Sequence, residues 1–162
     1  MPPTFRHGFY AGIAAAVVVG LWLAQLWPAE KQVRLHSEHF LRQIEKRNWS
    51  AAGDFIATDY RDDWGHDRSL VLNRLRLTLQ FFSSLTITES DSQVRLNPSA
   101  GSWSAKIQIG SRGGEIAPEI IARVNSLTGP FELHWRRESW RPWDWKLVRV
   151  SNPSLELPGG VY

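Results

Sequence analysis

The sequence predicts an α+β fold: three N-terminal helices packed on a curved antiparallel sheet, preceded by one transmembrane helix. Three observations carry this. Residues 8–27 hold no charged side chain. Residues 30–82 then place apolar side chains at helical spacing, and after Ser84 the period drops from 3.6 to 2 and stays there. The length, 162 residues, suits one domain by the prior of ~100–200 residues each. Hydrophobic residues at 43% and charged residues at 22% are ordinary globular usage, which excludes a disordered chain, a collagen and a multi-span membrane protein. With no cysteine, a disulfide framework, a thiolate metal site and a cysteine nucleophile are excluded. Nineteen basic residues against 16 acidic ones leave a net charge of +3. That excess is too small to imply nucleic acid. The compositional outlier is tryptophan, at 9.

The first element is the uncharged run. At 1.5 Å per residue, twenty helical residues span ~30 Å, the thickness of a bilayer core. Tyr10 lies near one end, and Trp22 and Trp27 near the other, where interfacial belts place aromatic rings. Pro28 stops the helix. The run is too long for the hydrophobic region of a cleaved signal peptide, and its exit has no small-x-small cleavage site. We therefore expect a tail over 1–7 and a single-pass anchor over 8–28. Lys and Arg counts on the two sides (Arg6 against Lys31, Arg34 and Arg42) would keep the following domain in the cytoplasm. A lone N-terminal anchor usually exports the domain behind it, and an extracytoplasmic domain is the expectation adopted.

Residues 30–47 read as an amphipathic helix with Val33, Phe40, Leu41 and Ile44 on one face. Asn48 caps a short helix through Ala57. Asn48-Trp49-Ser50 also matches a glycosylation sequon, and capping is the simpler use of the asparagine. After a polar link, Asp67 caps a third helix over 68–82, with Val71, Leu75, Leu79 and Phe82 inward.

Leu85, Ile87, Val94 and Leu96 then mark one long or bulged strand, and Trp103, Ala105, Ile107 and Ile109 the next. Residues 115–129 read as a connection with one helical turn. Residues 131–140 and 145–151 form a hairpin around a tight turn at 141–144. A turn closed by Arg141 and Asp144 pairs Trp140 with Trp145, Glu138 with Leu147 and Arg136 with Arg149. Leu133, Trp135 and Arg137 then face the helices together with Val148 and Val150. Residues 153–162 read as a loose tail.

Three stretches carry a family resemblance: Glu45-Lys46-Arg47-Asn48-Trp49-Ser50-Ala51-Ala52, Asp59-Tyr60-Arg61-Asp62, and Trp145-Lys146-Leu147-Val148-Arg149-Val150. They resemble the two opening helices, the polar link into the third helix, and the last strand of the nuclear transport factor 2-like superfamily. That is the cone-shaped fold shared by ketosteroid isomerase and the SnoaL-like polyketide cyclases. The resemblance covers residues 30–152. It implies a pocket between helices and sheet, and often dimers through the outer sheet face. No motif transfers the acids, bases or oxyanion donors of the enzymatic members onto residues here.

Asp54, Asp59, Asp62, Asp63 and Asp67 lack the alternating ligand spacing and the glycine of a calcium loop. Helix ends and caps account for most of them. His36 and His39 share a helix at i, i+3, with no further His or Cys placed to complete a metal site. No nucleophile elbow, phosphate loop or dinucleotide fingerprint occurs. The expectation is therefore no cofactor, no metal and no catalytic residue. If the cone holds a ligand pocket, Asp59, Tyr60, Trp135 and Arg137 would line it. Arg136, Trp140, Trp145, Leu147 and Arg149 make up an expected interaction face, since Trp and Arg are enriched at interface hot spots. Glu132, Glu138 and Asp144 offset much of the local charge, which argues against nucleic acid.

These readings converge on a membrane-anchored, non-catalytic interaction or accessory domain, self-associating or a subunit of a membrane complex. Its expected contacts are the membrane through 8–28 and a homodimer or membrane-complex partner. The alternative is a small-ligand-binding or SnoaL-like enzymatic use of the cone pocket.

Overall fold

The structure is a computed structural model that describes residues 4–24, 28–113 and 117–155, with side chains of 4–7, 22–24, 112 and 113 outside the description. Helix α1 (Thr4–Ala24) carries the apolar run. Every described side chain of residues 8–21 on it is exposed. Those residues extend about 21 Å along a helix axis, short of the ~30 Å bilayer core. Among the described residues no helix is long and apolar enough to cross a membrane, so the expected span over 8–28 finds no support there. Trp27, from the expected aromatic belt, and most of the expected tail, 156–162, lie outside the described residues, as does the side chain of Trp22.

Helix α2 (Ala29–Glu45) buries Val33, Ser37, Phe40 and Ile44, which recur every three to four residues on one face. It ends where Arg47 turns to φ 56 and the Asn48 N–H reaches back to the Gln43 carbonyl at 2.9 Å. This is the αL termination that glycine usually makes. Helix α3 (Trp49–Phe55) is capped as expected, the Asn48 side chain accepting from the Ala51 N–H. Helix α4 (Arg68–Leu79) is capped by Asp67, which accepts from the Leu70 N–H at 2.9 Å. It stops three residues before the expected end, because Phe82 is already strand.

Four antiparallel strands follow in the order β1-β2-β3-β4: β1 (Phe82–Leu96), β2 (Ala100–Gly113), β3 (Phe131–Arg137) and β4 (Trp145–Ser151). The long strand β1 is bulged between Ser90 and Gln93, with Asp91 at φ 55. The connection after β2 contains a full helix, α5 (Ala117–Asn125), in place of the expected single turn. It lies against β2 beyond Ala105, where pairing with β3 ends. There the Asn125 side chain donates to the Ile109 carbonyl at 3.0 Å and accepts from the Ile109 N–H at 2.8 Å. One amide thus stands in for a missing strand neighbour.

The β3–β4 hairpin corrects the expected register. Arg137 pairs with Trp145, Arg136 with Lys146 and Trp135 with Leu147. The loop is longer than a tight turn, closed by the Glu138 N–H on the Asp144 carbonyl at 2.9 Å. Sliding the pairing by an odd number of residues turns the β4 side chains next to the loop to the other face. Trp145 and Leu147 therefore lie in the core with Leu133 and Trp135, and Val148 is outside it; past a second shift between His134 and Trp135, Val150 pairs with Leu133 and packs half-buried against the core, as expected. On its free side β4 is covered by residues 56–63. The N–H groups of Ala57 and Arg61 donate to the carbonyls of Leu147 and Val148 at 2.9 and 3.1 Å.

Candidate functional site

A cone of this kind offers the space between α2, α3 and the helix-facing side of the sheet. Here that space is filled. Trp135 is fully buried and meets the rings of His36, Phe40 and Phe55 edge-to-face, with centroids 5.7–6.3 Å apart. Its indole N–H donates to Ser37 Oγ at 2.9 Å, and Ser37 donates onward to the Val33 carbonyl at 2.9 Å. A buried indole needs such a partner, and one serine satisfies it. Trp103 is also fully buried, from the neighbouring strand. Two open grooves among the described residues lie elsewhere. One of about 520 Å³ runs beside the β1 bulge, with Gln93, Arg95, Ser104, Lys106 and Glu132 among its walls. Those residues alternate with the core residues Trp103, Ala105 and Leu133, so the groove is on the outer face of the sheet. A second, of about 310 Å³, lies between the end of α5 and Ser154.

The four residues expected around a pocket are placed in three environments. Trp135 is the filling. Tyr60 is buried, its hydroxyl makes no hydrogen bond among the described residues, and burial holds its phenol well above the usual range, with the Asp62 and Asp63 charges adding to that. Asp59 is exposed on the surface and takes both guanidinium nitrogens of Arg136 at 2.9 Å. This pairing pulls its carboxyl below the ordinary carboxylate value. Arg137 stacks its guanidinium over the Trp145 ring, 5.9 Å from the centroid. The structure brings Tyr60 and Trp135 into one core and leaves Asp59 outside it.

The expected interaction face also divides. Trp145 and Leu147 are core residues, at 3% and 0% exposure. Arg136 is pinned by Asp59 and Glu138, and Arg149 by Asp63. Trp140 alone stands free of the domain, at 85% exposure, and Trp143 follows at 56%.

One polar pair was not legible in advance. Asp62 and His66 are both buried, and the imidazole Nδ1 lies 2.7 Å from the carboxylate. The same carboxylate accepts from the N–H groups of Trp64 and His66, around a turn in which Gly65 takes φ 82. The signal available was an aspartate two residues before Trp and three before a glycine, the pattern of an Asx turn. His36 is half-buried, and its Nδ1–H donates to the Gln32 carbonyl at 2.8 Å. Desolvation holds its pKa below 6.5.

No protein-family model and no curated protein matches the chain. Solved structures do. A nuclear transport factor 2-like superfamily protein from Salmonella enterica aligns with a TM-score of 0.59 at 15% identity, over 82% of this chain and 94% of that one. A candidate scytalone dehydratase from Novosphingobium aromaticivorans aligns with a TM-score of 0.59 at 9% identity, over 80% and 89%. Bd1075 of Bdellovibrio bacteriovorus gives 0.55 at 7% identity over 75% of this chain, which spans only 39% of that protein. At these identities the likeness is one of fold, and the fold is nuclear transport factor 2-like: helices on a four-stranded antiparallel sheet.

Proposed function

We propose that this chain is a non-catalytic interaction domain that self-associates or serves as a subunit of a membrane complex. The filled cone carries this reading. A ligand-binding or enzymatic member of this fold needs an open interior, and here Trp135 and its aromatic neighbours occupy it. Function then falls to the surface. Besides the β3–β4 loop, exposed apolar surface among the described residues lies on α4 and just beyond, where Leu70 and Leu77 share one side of the helix and Phe81 follows it, at 38%, 50% and 42% exposure. We assign self-association to that side. The exposed apolar side chains of 8–21 support the proposal that the chain attaches to a membrane through 8–28, since such a helix needs lipid or protein around it. An extracytoplasmic domain belongs to the same reading.

Sedimentation of the full chain in detergent tests the assembly. The wild type is expected to associate, and Leu77→Asp to fall to monomer with its circular dichroism unchanged. A wild type that stays monomeric at every concentration overturns self-association. Resistance of the full chain to alkaline extraction from membranes tests the anchor. Stabilisation of the wild type but not of Tyr60→Phe by a small molecule would favour the pocket reading instead.

A further inference from the structure

We infer that the end of the domain bearing Trp140 and Trp143 rests on the lipid surface of an anionic membrane. This rests on the proposed membrane attachment through residues 8–28.

The placement follows from the register. Leu96 pairs with Gly101, Ala100 with Arg136, and Arg137 with Trp145. The β1–β2 turn and the β3–β4 loop therefore lie at one end of the sheet, and the Arg137 N–H joins them by donating to the Ser99 carbonyl at 3.0 Å. Helix α2 starts at this same end. Its Val33 packs so closely over Gly101 that a Cβ there would stand 2.7 Å from Val33 Cγ2. At the far end of α2, Arg47 donates to the Phe82 carbonyl, where β1 begins. The chain thus enters the domain from residue 28 at the end that holds the loop.

The chemistry of that end suits a lipid headgroup region. Trp140 and Trp143 are exposed at 85% and 56%, and Leu96 at 43%. An indole with one apolar body and one N–H is at its most favourable at such an interface. Arg141, next to Trp140 in the chain, is exposed, Lys31 is exposed in the first turn of α2, and Arg137 lies half-buried over the Trp145 ring at the base of the loop. Each basic side chain near an anionic surface adds to binding. The nearby Glu138 is already held by Arg136, 2.7 Å away. Nothing in the core requires the two exposed indoles: the loop is closed by backbone, and by Trp145 Nε1 donating to the Pro142 carbonyl at 2.8 Å.

The chain has no cysteine, so single cysteines can be placed at will. Full chains carrying Ala15→Cys, Ser139→Cys or Ser126→Cys would be labelled with an environment-sensitive fluorophore. They would then be reconstituted in phosphatidylcholine–phosphatidylglycerol vesicles with brominated acyl chains. Ser139 sits in the loop and Ser126 at the opposite end of the domain. The expected result is blue-shifted, strongly quenched emission at 15 and 139, and water-like emission at 126. Trp140→Ala with Trp143→Ala should remove the quenching at 139 and spare that at 15. Quenching at 15 with water-like emission at 139 overturns the surface contact and leaves the attachment standing. Water-like emission at all three positions overturns the attachment itself.

Discussion

Single side chains decide whether this cone is a pocket or a core. Trp135 is the largest of them in consequence, because its ring takes the room a ligand would need. Trp135→Ala is expected to cost about 3–5 kcal/mol in urea melts. Ser37→Ala, which leaves the indole N–H without its partner, should cost about 1–3 kcal/mol. If Trp135→Ala is as stable as the wild type, the interior is not the packed core described. His36 adds a pH dependence. Burial holds its folded pKa below 6.5, so below that pH the unfolded chain takes up a proton that the folded chain refuses. Stability is intact above pH 6.5 and declines as pH falls through it. Melts of wild type and His36→Gln on either side of pH 6.5 check this: the variant should show the shallower decline. Of these residues, Phe40 and Ile44 were legible from helical spacing alone. The role of Ser37 was not, since a serine on an apolar face carries no mark of the indole that will find it.

At the scale of elements, period and capping were the strong signals. Asn48 and Asp67 cap α3 and α4 as expected, because a cap depends on residues three apart in the chain. Helix α5 and the hairpin register differ from what local pattern predicts. Both depend on partners distant in sequence. Helix α5 is held by Asn125 on the β2 edge, sixteen residues away. Asn125→Ala should leave Ile109 without both bonds and cost about 0.5–1.5 kcal/mol. Amide exchange at Ile109 should rise while that at Trp103 does not. Equal protection in the variant would show that α5 does not latch the strand. In the hairpin, a tight turn predicts Trp145 on the outer face, and it lies in the core. Both faces of β4 carry large side chains, so alternation alone could not choose between them, and the longer loop set the register instead.

For the whole molecule, the expected fold class holds for helices on an antiparallel sheet, and the structural likenesses agree with the family resemblance. The resemblance implied a pocket, and among the described residues Trp135, Phe40 and Phe55 pack the space between α2, α3 and the sheet. The direction of insertion is a question at this scale too. An impermeant thiol reagent applied to intact cells is expected to label Ser126→Cys, placing the domain outside the cytoplasm. Labelling only after lysis would reverse the proposed orientation and agree with the count of Lys and Arg about the apolar run.

The sequence by itself determined what is local: the apolar first helix, the helical face of α2, the two side-chain caps and the change to strand period after Ser84. These follow from contacts within a few residues, which residue type and spacing record directly. Only the tertiary structure decided that Trp135 fills the cone, that Arg136 rather than Arg137 holds Asp59, and that Trp140 is left outside while Trp145 is buried. Each of those outcomes turns on which strand lies beside which and in what register. That is set by the packing of the entire core, where a shift of one residue exchanges the inside for the outside.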